Sequence, residues 1–303
     1  MIRSFEELYA ATKALSKRKM AVAAPQDLEV LESVVAAQNR GLVQMVLVGD
    51  AQKTREIANE YDLDIEGMEI IDIPDNQEAA REAVRLVSTG YAHMLMKGIL
   101  DTATLLRQVL DPEIGLRTGR LISHVAVMEI PELQRLLLMT DGGMVIAPNL
   151  DQKVEMLKNA FWVARGIGIE EPKAVPIAAF EQVNPKMPAT VDAEKLKELA
   201  EAGEFGPGAM VSGPLALDGA LDLEAAEHKG ITDPVAGRAD ILLMPYIEVG
   251  NVMYKALVRY AKIRVSGIVV GATAPIVLVS RADSPEAKLN SIALASYLAR
   301  EQA

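Results

Sequence analysis

Three short segments place charged and hydroxyl side chains directly after predicted strands. In open α/β sheets, ligands lie beyond the carboxyl ends of the strands, where helix N-termini offer unpaired N–H groups. The first segment begins at Lys97-Gly98 and runs through Asp101 and Thr102 into a predicted helix that carries Arg107. Asp101 is a suitable helix N-cap. The segment is therefore either a strand end with a capped helix or an anion site contacted by Lys97, Thr102 and Arg107.

The second segment, PYIEVGN at 245–251, follows the predicted strand ADILLM. Gly250 and Asn251 would allow close backbone approach at a helix start, and Lys255 lies one turn further on. A Gly-Asn pair alone is weak evidence, because such pairs are common in loops. Together with Lys255, it predicts a phosphate or carbonyl contact that involves Asn251 and Lys255.

The third segment, SRADSP at 280–285, follows the apolar run PIVLV. Ser284 as N-cap and Pro285 at the first helical position predict a helix start. Ser280 and Arg281 have no capping role there. A guanidinium near a helix N-terminus makes a bidentate phosphate site, although an ion pair between Arg281 and Asp283 is the simpler alternative.

Histidine and cysteine usage restricts the remaining chemistry. The chain has no Cys, so thiol nucleophiles, disulfides, zinc–thiolate sites and iron–sulfur clusters are excluded. The three His residues are far apart, and we predict no metal site. His124 lies in a strand, as a structural residue or a general acid/base, whereas His228 ends a helix. The turn Thr140–Gly143 offers a carboxylate to a ligand or is simply a tight turn.

Composition excludes several partners. Of 303 residues, 50% are hydrophobic and 4% aromatic, and the net charge is −11. An acidic chain with few aromatic rings is unsuited to nucleic acid. The longest apolar stretch, 266–280, is short for a membrane span and contains Gly and Pro. The N-terminus lacks the apolar core of a signal peptide, so we expect a cytoplasmic protein without a membrane partner.

Apolar runs alternate with helical patterns, which is typical of an α/β fold with a mainly parallel sheet. Two runs around Pro131, at 121–139, have no helix between them, which indicates a mixed sheet or a crossover between domains. We find no G-x-G-x-x-G after the first strand, no P-loop and no G-x-S-x-G elbow. Strands are predicted at 20–24, 43–49, 68–73, 93–98, 174–179, 240–244, 266–270 and 276–279, and helices near 27–40, 76–89, 152–165, 250–262 and 285–300.

Several segments together resemble the phosphate acetyl/butyryl transferase family. The resemblance covers nearly the whole chain and is densest from Lys97 onward. It is carried by KGILDTATLLRQVL, LISHVAVMEIP, TDGGMVIAPNLDQKVEMLKNA, GPLALDGAL, HKGITDPVAGRADILLMPYIEVGNVMYK and VLVSRADSPEAKLNSIALA. The part from SHVAV to LKNA is more similar to the butyryl branch than to the acetyl branch.

The resemblance implies reversible acyl transfer between coenzyme A and inorganic phosphate. It implies a two-domain α/β/α fold of the isocitrate/isopropylmalate dehydrogenase type, with mainly parallel sheets, an active site in the interdomain cleft and at least a dimer. We expect domains at 1–130 plus 275–303 and at 131–274, with coenzyme A as a substrate and no tightly bound cofactor. The family's Ser-Arg pair falls on Ser280 and Arg281, and its arginine in D-T-x-x-L-R falls on Arg107.

One position departs from the family pattern. Acetyl-type members have an Asp seven residues beyond the Ser, which is associated with deprotonation of the coenzyme A thiol, whereas this chain has Ala287 there. The base is therefore open among His124, Asp283 and Glu286.

Three rival functions remain. A phosphate acetyltransferase differs only in the acyl group. A decarboxylating dehydrogenase of similar fold would need an Asp cluster for a metal, which we do not find. A non-catalytic acyl-coenzyme A sensor would need the binding groups but not Ser280.

Overall fold

The computed structural model describes residues 1–15, 17–278 and 283–299. It confirms an α/β fold with mixed, mostly parallel strands. The chain divides into two compact units. The terminal unit contains Ser4–Ile122 and Val265–Ala303, and the central unit contains Met1–Arg3 and Ser123–Arg264. Elements are numbered in chain order below.

The terminal unit has strands in the order β3-β2-β1-β4-β11-β10. Neighbouring strands are parallel except β10 and β11, which are antiparallel. The strands are β1 (Lys19–Ala23), β2 (Gln44–Gly49), β3 (Glu69–Asp72), β4 (Met94–Lys97), β10 (Arg264–Val270, whose first residue belongs to the central unit) and β11 (Ile276–Val277). The helices are α1 (Phe5–Lys13), α2 (Leu28–Asn39), α3 (Ala51–Glu60), α4 (Asn76–Ser88), α5 (Thr102–Val109) and α11 (Pro285–Leu298).

The central unit has strands in the order β5-β6-β9-β7-β8. The two runs around Pro131 form β5 and β6, which are antiparallel and are joined by a short 3-10 turn, Pro131–Leu133. Of the two alternatives for these runs, the mixed sheet is the one observed. The other neighbours are parallel. The strands are β5 (Ser123–Ile130), β6 (Arg135–Thr140), β7 (Lys173–Pro176), β8 (Met210–Val211) and β9 (Ile241–Leu243), and the helices are α6 (Leu150–Gly166), α7 (Pro188–Glu201), α8 (Leu217–Leu221), α9 (Leu223–His228) and α10 (Ile247–Arg259).

Aliphatic strands and one largely buried helix form the core of the terminal unit. The residues of β4 are all buried, as expected for parallel strands covered on both faces. Helix α11 is buried from Ala287 to Leu298, so the polar side chains in this range need internal partners. The amide of Asn290 donates to the carbonyl of Val265 at 2.9 Å, and the Ser291 hydroxyl accepts from the amide of Gly267 at 2.9 Å.

Most predicted elements are confirmed, with two differences. The sequence predicts the start of α10 near residue 250, but the helix begins at Ile247. It gives no sign of β8 or α8, because elements of two and five residues show no periodicity. Within the described residues, no helix combines the length and the apolar character that a membrane-spanning helix needs.

Candidate active site

The segments after β4 and β11 begin at the same edge of the terminal unit. Met96 in β4 pairs with Val277 in β11, and Lys97 pairs with Ala23 in β1. All three strands are parallel, so their carboxyl ends face the same way. Ser280 and Arg281, which follow β11, lie outside the described residues.

Gly98 packs directly against the end of β1. Its amide donates to the carbonyl of Ala23 at 2.8 Å, and the amide of Ile99 donates to that of Ala24 at 2.8 Å. A Cβ on Gly98 would lie 1.9 Å from the carbonyl oxygen of Ala24, so only glycine fits. Ala24 has a φ of 54°, which is uncommon for a residue with a side chain. From the sequence, Gly98 is predicted only as the end of a strand.

Lys97 turns its ammonium back onto the loop that follows it. The residue is 6% exposed, and its Nζ lies 3.2 Å from the carbonyl oxygen of Gly98 and 3.1 Å from that of Leu100. A buried ammonium needs such partners. Lys97 therefore fixes the loop and places its positive charge beneath it.

Asp101 and Arg107 lie at opposite ends of α5. The Asp101 carboxylate accepts from the amide of Thr104 at 2.8 Å, which confirms the predicted N-cap. The hydroxyl of Thr104 also donates to Asp101 and lowers the pKa of that carboxyl. Thr102, the first helical residue, is half-buried. Arg107 is exposed and has no hydrogen-bond or ion-pair partner within the described part of the chain.

The start of α11 follows the predicted pattern. The Ser284 hydroxyl accepts from the amide of Ala287 at 3.2 Å, and Pro285 is the first helical residue. Asp283 is half-buried and Glu286 is exposed. Ala287 is buried, so the position seven residues beyond Ser280 presents a small apolar side chain to the interior.

The central unit brings a second set of predicted residues to one edge. Strand β5 is antiparallel to β6, so the beginning of β5, with His124, lies where β6 ends at Thr140. Strand β9 is parallel to β6 and ends at the same edge, before the segment that leads to Asn251.

Asp141 organises this edge. It is 1% exposed, and its carboxylate accepts from three backbone amides: those of His124 at 2.7 Å, Gly143 at 2.6 Å and Met144 at 2.8 Å. Both oxygens are thus engaged by the backbone. Of the two interpretations of the Thr140–Gly143 turn, the geometry favours a structural role for its carboxylate.

The first turn of α10 packs on that turn. A Cβ on Gly250 would lie 2.5 Å from the carbonyl oxygen of Asp141, and the side-chain amide of Asn251 donates to the carbonyl of Gly142 at 3.1 Å. The helix begins earlier than predicted because Gly250 permits this close contact inside the helix. Lys255 lies one turn beyond Asn251, exposed, so the two share a helix face.

His124 lies beside the same turn. A Cβ on Gly143 would lie 3.6 Å from Cγ of the His124 imidazole. The structure thus brings together His124, Asp141 and Asn251 in the central unit, and the segments of Lys97 and Asp283 in the terminal unit. Across the described ranges, no group of three or more His, Asp and Glu side chains has the arrangement of a metal site.

Comparison with known proteins assigns the family. The family model "Phosphate acetyl/butaryl transferase" matches residues 4–85 and 75–296. A phosphate butyryltransferase of Clostridium acetobutylicum is 50% identical over 299 residues, which cover 99% of both chains. A phosphate acetyltransferase of Thermotoga maritima is 44% identical over 282 residues, which cover 93% of this chain and 95% of the relative.

A solved structure agrees with these matches. A branched-chain phosphotransacylase from Enterococcus faecalis superposes with a TM-score of 0.83 at 36% identity, and the match covers 93% of this chain and 99% of that one. Family, relatives and fold all point to the same class of acyltransferase. The chain therefore belongs to the phosphate acetyl/butaryl transferase family.

Proposed function

We propose that this protein transfers a short-chain acyl group, butyryl or a close relative, reversibly between coenzyme A and inorganic phosphate. The observation that carries the proposal is the family match over residues 75–296, a range that includes every residue predicted for the site. The 50% identity to a phosphate butyryltransferase supports the butyryl group. The 44% identity to a phosphate acetyltransferase keeps acetyl as the second candidate.

In the proposed reaction, a phosphate oxygen attacks the thioester carbonyl carbon. The carbon–sulfur bond breaks, the acyl phosphate forms and coenzyme A leaves as the thiolate, which takes up a proton. Arg281, with Arg107 or Lys255, orients the phosphate, since a guanidinium holds two phosphate oxygens at once. Such orientation lowers the barrier of a two-substrate reaction by about 7 kcal/mol or more.

Ser280 donates a hydrogen bond to the oxyanion of the tetrahedral intermediate. Loss of such a donor costs about 10²–10³ in rate. Phosphate is itself the nucleophile, so the transfer is direct, in a ternary complex, and passes through no acyl-enzyme. His124, Asp283 or Glu286 exchanges the thiol proton. Each of the three can be replaced by Asn or Gln and the pH–rate profile of each variant measured. The base is the residue whose substitution removes one limb of that profile.

The predicted groups occur in both units, and the resemblance to the family implies one active site in a cleft between two domains. We propose both that arrangement and the dehydrogenase-type architecture for this protein. We also propose that the protein works in the cytoplasm, where coenzyme A and phosphate are both available.

We further propose that the chain forms at least a dimer through α10. Of the residues of this helix, all of which the structure describes, Gly250 alone is buried. Val252 is 67% exposed and Tyr260 85% exposed, and both lie on one helix face with Val249 and Ala256. Contiguous apolar surface of this kind is typical of an interface. Light scattering should give a molar mass of at least twice the chain mass for the wild type, and a lower molar mass for Val252→Asp. A monomeric wild type would contradict this proposal.

Thiol release from butyryl-coenzyme A, with and without phosphate, tests the function. Every thiol detected belongs to coenzyme A, because the chain has no Cys. We expect release that depends on phosphate, and repetition with acetyl and branched donors ranks the acyl groups. If no acyl donor gives thiol release, although the protein is folded and binds coenzyme A, the protein would instead be a sensor.

Arg281→Ala tests the site assignment. We expect phosphate affinity and turnover to fall by about 10²-fold or more, with unchanged folding, because the sequence predicts Arg281 between a strand and a helix, where truncation is tolerated. Near-normal activity in this variant would refute the assignment.

A further inference from the structure

A buried lysine lies beside the segment that carries the proposed phosphate-binding residues. Lys288 is in the first turn of α11 and is 3% exposed. Its Nζ lies 2.6 Å from Oε2 of Glu29, in the first turn of α2. The same Nζ donates to the carbonyl oxygen of Asp283 at 2.7 Å. One ammonium thus joins the start of α2 to the residue that precedes the N-cap of α11.

This placement is electrostatically unfavourable for the helix itself. The N-terminal end of a helix carries a partial positive charge, so a cation in the first turn of α11 is disfavoured. Burial adds a desolvation cost, which the carboxylate of Glu29 offsets. The Glu29 side chain is 50% exposed, so the pair adds little stability of its own. The ion pair is therefore better explained by what it holds in place.

Chain order shows what that is. Asp283 is the first described residue after Ser280 and Arg281. On the other side of the pair, Ile276 and Val277 are fixed by pairing with β4. The flank before Ser280 is thus held by a strand, and the flank after Arg281 is held by the ammonium of Lys288.

We propose that Lys288, charge-paired with Glu29, is a positioning residue for Ser280 and Arg281. The inference rests on the proposed function, in which those two residues bind phosphate and stabilise the oxyanion. Lys288 acts through the backbone of Asp283 and contacts neither substrate. When the ammonium is removed, the flank after Arg281 loses its anchor, and the loss falls on phosphate more than on acyl-coenzyme A.

Lys288→Met tests this, because Met keeps the length and the apolar stem but removes the charge. We expect the KM for phosphate to rise about 10- to 100-fold, as for a displaced binding group, while the KM for acyl-coenzyme A stays within about twofold. Lys288→Arg, which keeps a charged donor, should recover most of the loss. Glu29→Gln should give a smaller rise, because the hydrogen bond to Asp283 remains.

Lys153→Met is the matched control. Lys153 is also 3% exposed and pairs with Asp192 at 2.7 Å, but it lies in the central unit. Lys153→Met should lower the Tm about as much as Lys288→Met does. It should not, however, raise the KM for phosphate alone. Equal rises of both KM values in Lys288→Met, or none, would overturn the proposal. If Lys288→Met does not fold, an unchanged KM for phosphate in Glu29→Gln overturns it.

Arg281→Ala, measured in parallel, separates this proposal from the function on which it rests. If Arg281→Ala keeps its phosphate dependence, the site assignment has failed, whatever Lys288→Met shows. If Arg281→Ala loses phosphate use and Lys288→Met behaves as wild type, only the positioning role has failed.

Discussion

The two units shape the loops at the carboxyl ends of their strands with buried charges of opposite sign. In the terminal unit, the ammonium groups of Lys97 and Lys288 donate to three backbone carbonyls of the flanking loops. In the central unit, the carboxylate of Asp141 accepts from three backbone amides. The same task, holding an irregular segment at a sheet edge, is thus done by cations in one unit and by an anion in the other.

This difference bears on which substrate group each edge suits. Where cations engage the carbonyls, the edge carries buried positive charge, which favours a nearby anion. Where a carboxylate engages the amides, no such surplus remains. We therefore expect phosphate to depend mainly on the terminal unit, and substitutions at the Asp141 turn of the central unit to affect both substrates alike.

The largest expected effect separates two glycines, one at each edge. In Gly98→Ala, the new Cβ would meet backbone oxygen at 1.9 Å, so we expect a loss of about 3 kcal/mol or more in unfolding free energy. In Gly143→Ala, the nearest atom lies at 3.6 Å, an ordinary contact, and the cost should stay below about 0.5 kcal/mol. Urea denaturation measures both; equal costs would break the comparison.

Asp141→Ala should come next. It leaves the backbone amides of His124, Gly143 and Met144 without their acceptor, and we expect a loss of about 3 kcal/mol. Asp151→Ala, at an exposed position in the first turn of α6, is the control and should cost less than about 1 kcal/mol. A loss of similar size in both variants, from the urea midpoint, would show that the Asp141 carboxylate does not hold the turn.

Lys97→Met sharpens the comparison on the cationic side. Two carbonyls lose their donor, so we expect a loss of about 1–3 kcal/mol in stability. Because the loop leads into α5, the KM for phosphate should rise more than that for acyl-coenzyme A. In Asp141→Ala the two KM values should change together, and a phosphate-specific rise there would reverse the assignment of the edges.

Arg107→Ala should leave stability within about 0.5 kcal/mol, because the side chain is exposed and has no described partner. We expect the KM for phosphate to rise about tenfold, as for a lost charged contact. Arg55→Ala, at an exposed position of α3 in the same unit, is the matched control. Initial rates at varied phosphate concentration give the KM for phosphate of both variants. Identical KM values would show that Arg107 is not part of the site.

The smallest effect concerns His93, which is remote from both edges. Burial, followed by the charge of Arg18, lowers the pKa of His93 below its ordinary value of 6.5. The unfolded chain therefore binds more protons as pH falls below about 6.5, so this stabilisation is complete above that pH and declines below it. Chemical denaturation at pH 7.5 and 5.5 should show a smaller difference in His93→Asn than in wild type; an unchanged difference would contradict this.

The features that the sequence predicts correctly are those set by local chemistry. Asp101 and Ser284 were predicted as helix N-caps, and both accept the expected amide. The sequence also predicts two strands around Pro131 without a helix between them, and the end of α9 at His228. Each depends only on residues within a few positions of one another.

The features that it does not predict depend on distant contacts. The start of α10 depends on the approach of Gly250 to Asp141, more than 100 positions away. The sequence predicts that Lys97 lies at the end of a strand, but tertiary packing determines that its ammonium turns inward. Nothing in the local sequence distinguishes Lys288 from other residues of its helix, because its partner Glu29 lies 259 positions earlier. The roles of the candidate residues in catalysis stay predictions.

The most direct test of the account is a matrix of initial rates with butyryl-coenzyme A and phosphate both varied. Direct transfer requires both substrates to be bound together, so double-reciprocal lines should intersect, and no thiol should appear without phosphate. Parallel lines, or a burst of thiol before phosphate is added, would show an acyl-enzyme. That result would contradict the claim that phosphate, held at the terminal unit, attacks the thioester directly.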